Sequence, residues 1–213
     1  MQGRGQGAGE SDPQGDPALP LRDQPAIAMV MIDGDDAAPL DVGGIANVLT
    51  AQRWIGRRSP VRPVPGVIEP TCRLLLCDTT FAERQAQRVP DKARLWLGTR
   101  MHADDPLSPE GASALLCLMM SIDSRHEEEF NAWYDTEHIV RLRTVPGVIT
   151  GRRFRAFSGS PMYLAVYHLT SLEVPKLPEW RTAAATPWTA RMLKLRYAHE
   201  RFLFTPDTTG AER

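Results

Sequence analysis

The sequence predicts an α+β protein built from two consecutive βαββαβ halves whose antiparallel sheets close on each other as one barrel. Three observations carry this. Residues 114–206 open with an apolar run of strand length followed by a capped helical segment. Two further strands and a second helical region then complete that half in order. Residues 26–104 repeat the same series of elements more weakly.

The second half is read first because its signals are stronger. Leu115 to Ile122 is nearly continuous in apolar residues and stops at Asp123-Ser124. Ser124 followed three residues later by Glu127 is a capping-box pattern, which starts a helix there. Phe130, Trp133, Tyr134, His138, Leu142 and Val145 recur at helical spacing, and Pro146-Gly147 ends the run. A strand from Val148 to Phe157 follows, then the turn Ser158-Gly159-Ser160-Pro161 and a Tyr- and Val-rich strand from Met162 to Leu169. A second helical region comes in two pieces, the latter with Thr186 as N-cap and Pro187 in its first position. Tyr197 to Thr205 is the last strand. The plan is ferredoxin-like, an antiparallel sheet with both helices on one face.

In the first half, Ala26 to Asp33 reads as a strand and Leu40 to Gln52 as a weak helix containing Gly43-Gly44. Each of those glycines weakens a helix by roughly 1 kcal/mol. Trp54-Ile55-Gly56-Arg57-Arg58 mirrors Ile149-Thr150-Gly151-Arg152-Arg153 as the next strand. Thr71 to Asp78, Phe81 to Val89 and Arg94 to His102 then read as strand, helix and strand. The organisation is therefore a tail over 1–25, a degenerate half over 26–104, a Pro-broken linker over 105–113, the stronger half over 114–206 and a tail over 207–213. A helix-covered sheet leaves its other face bare. Burying that face against an equivalent sheet removes several hundred Å² of apolar surface, at roughly 25 cal/mol per Å².

Composition narrows the function classes. The net charge is -1, from 25 Lys+Arg against 26 Asp+Glu, so no electrostatic footprint favours nucleic acid or an anionic membrane. No apolar run approaches the roughly 20 residues of a membrane helix. Residues 1–25 lack the apolar core of a signal peptide, and a cytoplasmic protein is expected. Cys72, Cys77 and Cys117 form no CxxC pair and sit in apolar stretches, which reads as buried, inert thiols. There is no phosphate loop, dinucleotide fingerprint or metal-ligand spacing, so no cofactor and no metal is expected.

Residues 127–138, Glu-Glu-Glu-Phe-Asn-Ala-Trp-Tyr-Asp-Thr-Glu-His, resemble the EthD-like members of the dimeric α+β barrel superfamily. The resemblance continues through Val145-Pro146-Gly147-Val148, Gly151-Arg152-Arg153-Phe154 and Tyr163-Leu164-Ala165-Val166-Tyr167. It covers residues 114–206 directly and residues 26–104 only by internal analogy. It implies a cavity enclosed between paired sheets, and a superfamily that spans monooxygenases, cyclases, isomerases and lyases. The first half has no Trp-Tyr pair and no histidine in its helical segment, so one competent pocket is expected instead of two.

The candidate chemistry follows from both readings. His138, one turn beyond Tyr134, is the candidate proton shuttle, with Tyr134 steadying an oxyanion and His199 as a further catalytic candidate. Arg152, Arg153, Tyr163, Tyr167 and Arg201 are the candidate binding residues. Alternation on the last strand puts Tyr197, His199 and Arg201 on one face and Ala198, Phe202 and Phe204 on the other. The apolar set is expected against the helices and His199 and Arg201 toward the opposing sheet. His168, which shares a face with Leu164 and Val166, is expected under the helices. The expected function is a cofactor-independent isomerase or lyase acting on a small aromatic or unsaturated carbonyl compound. The alternatives are a non-catalytic binding protein and a cofactor-free monooxygenase. A homodimer of the whole chain is compatible with this plan.

Overall fold

The structure, a computed structural model, describes residues 24–34, 40, 42–60, 66–80 and 89–209. The expected helix over 81–89 and nearly all of the N-terminal tail lie outside the described residues. Four strands form the first half: β1 (Pro25–Asp33), β2 (Val48–Arg58), β3 (Thr71–Thr80) and β4 (Arg94–Arg100). The second half runs β5 (Ala114–Ile122), α1 (Glu127–Trp133), a π-helical turn (Tyr134–His138) and α2 (Ile139–Arg143). It continues through β6 (Val148–Ala156), β7 (Tyr163–Leu169), α3 (Pro178–Ala184), α4 (Pro187–Leu195) and β8 (Arg196–Pro206).

The eight strands close into one barrel in the order β1-β3-β2-β8-β5-β7-β6-β4, every neighbour antiparallel. Taken separately, the halves read β4-β1-β3-β2 and β8-β5-β7-β6, which is one strand order used twice. The seams are β2 with β8 and β4 with β6. Closure removes the exposed edges that either sheet alone would present.

Three apolar clusters follow from this geometry. The barrel interior takes residues from all eight strands, among them Met29, Trp54, Leu74, Trp96, Cys117, Phe154, Val166 and Phe204. A second cluster, with Phe130, Trp133, Tyr134, Leu142, Tyr163, Tyr167 and Met192, lies between the second half's sheet and its helices. A third, with Ala28, Val30, Leu40 and Leu75, covers the outer face of the first half.

Several elements depart from expectation. The weak helix over 40–52 is replaced by a single 3₁₀ turn at Val42–Gly44, and Val48 already begins β2. Two adjacent glycines leave too little helix propensity to resist pairing with β3. Asp123, not Ser124, caps the helical entry: its carboxylate accepts from the Arg125 amide at 3.0 Å. Thr186 caps α4 as expected, accepting from the Thr189 amide at 3.0 Å. The Gly-Arg-Arg segments match in sequence but not in facing. Arg152 enters the barrel, whereas on β2 it is Trp54, and by alternation Gly56 and Arg58, that face inward.

The linker closes one mouth of the barrel. Ser108 N donates to Asp78 Oδ2 at 2.7 Å, Arg152 donates to Pro106 O at 3.1 Å, and Gln52 Nε2 donates to Pro109 O at 2.7 Å. At the other mouth Glu200 accepts from Arg58 at 3.1 Å and from Arg94 at 2.7 Å.

The β2–β8 seam is tight at Gly56, where a Cβ would collide with the Leu203 carbonyl and, at 2.7 Å, with the Phe204 Cα. Backbone cannot swing aside as a side-chain end can. Gly56→Ala should therefore destabilise the fold by about 1–3 kcal/mol, measured by denaturant unfolding. An unchanged midpoint would show that the two halves are not joined at this seam.

Candidate active site

The chemistry gathers between the second half's sheet and its helices. The π-helical turn re-aims one turn of the helix and carries both Tyr134 and His138; such turns often occur at functional sites. His138 is 8% exposed. Its ring lies 4.4 Å from Trp133 and 5.1 Å edge-on from Tyr134, measured between centroids. Burial, and then the charges of Arg153 and Arg196, push its pKa down to about 4, so the imidazole is neutral at pH 7.

A chain of hydroxyls leads away from that ring. His138 Nδ1 lies 3.4 Å from Thr189 Oγ1, and Trp133 Nε1 donates to the same oxygen at 3.2 Å. Thr189 and Thr186 hydroxyls are 2.9 Å apart, and Thr186 Oγ1 donates to Glu137 Oε1 at 2.5 Å. A hydroxyl has one proton to give, and a carboxylate only accepts. With Thr186 committed to Glu137, every group is satisfied when Thr189 donates to Thr186 and His138 donates from Nδ1 to Thr189. The opposite arrangement, with Thr189 donating to His138, would protonate Nε2 and make one hydrogen bond fewer. The network therefore assigns the proton to Nδ1 and leaves a free lone pair on Nε2.

Arg153 forms the floor. Its guanidinium lies 4.2 Å from the Tyr134 ring centroid and 5.5 Å from those of Phe130 and Tyr163. It donates to Asp135 and, at 2.9 Å, to Asn131 Oδ1. Asp135 in turn meets His102 Nε2 at 3.0 Å, which ties the last residues of the first half to this site. Tyr163 donates to Glu127 at 2.5 Å. The Tyr167 hydroxyl finds no partner in bonding geometry; its neighbour is the Tyr134 phenol, and burial drives both phenols above their ordinary pKa.

Five of the eight expected site residues thus meet in one place: His138, Tyr134, Arg153, Tyr163 and Tyr167. The place is the helix–sheet layer, not the space between the sheets. The other three do not join them. Arg152 points into the barrel, where it pairs with Asp78 at 2.6 Å. Arg201 sits opposite Leu118, which packs toward the outer cluster, and donates to Ser59 Oγ at 2.6 Å. His199 lies in a β-bulge beside Ala198, whose φ is 48°, and has no partner strand residue in register. Its Nε2 is buried without a hydrogen bond. The facing of β8 is the reverse of that expected, because Phe202 and Phe204 fill the barrel. His168 is also inside the barrel, bonded to Gln52 at 2.9 Å and Thr150 at 3.2 Å, instead of under the helices.

Sequence reasoning missed Glu137, Thr186 and Thr189 as partners of His138, and Asn131 and Asp135 as partners of Arg153. The Thr186-Pro187-Trp188-Thr189 cap was the available signal for two of them. The cysteines are buried, and burial lifts Cys72 to about 12 and Cys77 to about 11, which suits inert thiols. Among the described residues no cluster of His, Cys, Asp and Glu is placed to hold a metal, and no helix is long and apolar enough to cross a membrane.

Fold and site together define an antiparallel dimeric α+β barrel made of two ferredoxin-like halves within one chain. No family model matches the sequence, and no curated protein matches it in sequence. Solved structures do match in shape. A candidate monooxygenase from Fusobacterium nucleatum aligns over 86% of this chain and 93% of its own, with TM-score 0.54 and 6% identity. A ferredoxin-fold protein from Listeria monocytogenes related to antibiotic biosynthesis monooxygenases aligns over 87% and 96%, with TM-score 0.50 and 8% identity. An anthrone oxidase-like protein aligns over 87% and 93%, with TM-score 0.51 and 7% identity. At these identities the likeness establishes the fold.

Proposed function

We propose that this chain is a cofactor-independent enzyme that removes a proton from carbon beside the carbonyl of a small aromatic or unsaturated compound, with His138 Nε2 as the base. The observation that supports it most is the ordered proton chain from His138 through Thr189 and Thr186 to Glu137. That chain holds the neutral ring by Nδ1 and ends on a carboxylate, so the ring presents Nε2 as its basic atom. Tyr134 and Arg153 stand beside the ring as donor and cation for the developing enolate. In the isomerase or lyase form of the reaction, His138 returns the proton to another atom or assists a leaving group. The likeness of residues 127–138 to EthD-like proteins agrees with this placement.

The names of the fold neighbours favour a second outcome for the same carbanion. Reaction of an activated CH₂ with dioxygen gives a ketone and water: one oxygen atom enters the product, the other leaves with both hydrogens. Proton abstraction by His138 is the common first step.

The test is His138→Gln, which keeps a polar side chain but removes the titratable ring. With enolisable aromatic carbonyl compounds, anthrone among them, the wild-type protein should accelerate solvent-deuterium exchange or oxygen uptake. The variant should lose about 10²–10⁴-fold of that rate. The wild-type rate should be flat near neutrality and fall as pH drops through about 4, where Nε2 becomes protonated. Equal rates per folded molecule in both proteins would rule out His138 as the base.

A further inference from the structure

Arg196 is the first residue of β8, at the point where α4 ends. It pairs directly across from Ile122, and directly opposed residues of an antiparallel pair share a face. Ile122 belongs to the cluster beneath the helices, so Arg196 rises on the same side as Tyr134 and His138. Its charge acts on both of them. Arg196 is only partly exposed. Yet among the described residues its guanidinium makes no hydrogen bond and no ion pair.

The other arginines near the site each have an acceptor. Arg153 has Asp135 and Asn131. Arg143 has Asp105 at 2.5 Å, and Arg191 on α4 has Glu129 at 2.7 Å. Arg155 has Glu127 at 3.2 Å. A guanidinium taken partly out of water without an acceptor is costly, and its five N–H groups suit a planar two-oxygen anion. Among the described residues, Arg196 is therefore a guanidinium on the His138 and Tyr134 side of the sheet that has no acceptor of its own.

We propose that Arg196 is the anion-holding residue of this site and that the compound bound there carries one carboxylate beside its reactive carbonyl. The inference rests on the reading of His138 and Tyr134 as an active site and names its substrate class. The two coplanar oxygens of a carboxylate match the planar fork of this guanidinium. The carboxylate also anchors the molecule at the start of β8, leaving its carbonyl end for Tyr134 and the adjacent C–H for His138. Arg196 is thus a binding and orienting residue.

The test uses the full chain with benzoate and its neutral isostere benzamide as probes, followed by calorimetry and by tryptophan fluorescence, since Trp133 lies against the site. Benzoate should bind about 10- to 100-fold more tightly than benzamide. Arg196→Gln should abolish that preference and leave benzamide binding as it was, while Arg196→Lys should keep part of it. Arg191→Gln, on the outer side of α4, should change neither. Independently of any probe, the His138 ring resonance should titrate at higher pH in Arg196→Gln, because a repelling charge has gone. Saturation with benzoate should raise it in the wild-type protein for the same reason. Equal affinity for the two probes, an unchanged preference in Arg196→Gln, or binding of neither probe would overturn the proposal. His138→Gln should still prefer benzoate, so a failure of the proton-transfer reading and a failure of the anion site give different results.

Discussion

Asp78→Asn should destabilise the fold by about 3–5 kcal/mol, because it leaves Arg152 charged and unpaired inside the barrel. Both side chains are fully buried. Asp78 Oδ1 takes Arg152 at 2.6 Å, while Oδ2 accepts from Ser108 N at 2.7 Å and Thr50 Oγ1 at 2.8 Å. Burial alone would raise this carboxyl's pKa; Arg152 and the Ser108 hydrogen bonds outweigh it and hold the group below its ordinary range. The other guanidinium nitrogen donates to Ser108 Oγ at 2.6 Å. One pair therefore joins β3 of the first half, β6 of the second and the linker between them. Removing both charges together should be much less harmful. The Asp78→Asn/Arg152→Met double variant should recover part of the loss, and the remainder measures Arg100, which lies 3.8 Å from Asp78 and keeps its charge. Chemical denaturation of the two single variants and the double variant measures this directly. Additive losses would show that the pair is not coupled.

The strands were legible because their apolar runs are long and their boundaries carry Pro, Gly or Asp. What they face was harder to read. β7 is buried along its whole length, so Leu164, Val166 and His168 look no more interior than Tyr163, Ala165 and Tyr167. Alternation assigns a face only when one side is wet. On β8 the bulge at Ala198 shifts the alternation once, and nothing in Tyr197-Ala198-His199-Glu200 announces it. His138 and Tyr134 stood out because helix spacing is local information. The partners Thr186 and Thr189 come from some fifty residues further along the chain, through the packing of α1 and the π-helical turn against α4. Packing of that kind leaves no period in a sequence. The helix–sheet layer as the location of the site follows from the same contacts, and spacing alone could equally have favoured the barrel interior.

Acidification should unfold this protein steeply, and histidine should supply much of the slope. Burial is the leading cause in each case: it pushes His138 to about 4, His168 to about 3 and His199 to about 4. All three lie below the ordinary value of about 6.5 that the unfolded chain would show. As pH falls below that value the unfolded chain takes up protons that the native fold refuses. Their contribution to stability is thus complete above about pH 6.5 and disappears as pH drops toward 3–4. Each such histidine adds about 1.4 kcal/mol per pH unit inside that window. His138 and His168 together give close to 3 kcal/mol per unit, and the more exposed His199 adds less. Two units of acid would then remove about 6 kcal/mol, comparable with the lower end of the 5–15 kcal/mol typical of a folded domain. His168 isolates the effect because it faces the barrel interior, on the opposite side of β7 from Tyr167, and is wholly enclosed. Its Nε2–H donates to Gln52 Oε1 and its Nδ1 accepts from Thr150, an arrangement that a second proton would break. His168→Gln should be less stable than wild type at pH 7, yet its stability should fall by about 1.4 kcal/mol less per unit between pH 6 and 4. Denaturant titrations at constant ionic strength across that range provide the comparison. An unaltered slope, or a His168 ring resonance titrating near pH 6.5 in the folded protein, would mean that the barrel interior admits the proton and that the linker does not seal this mouth.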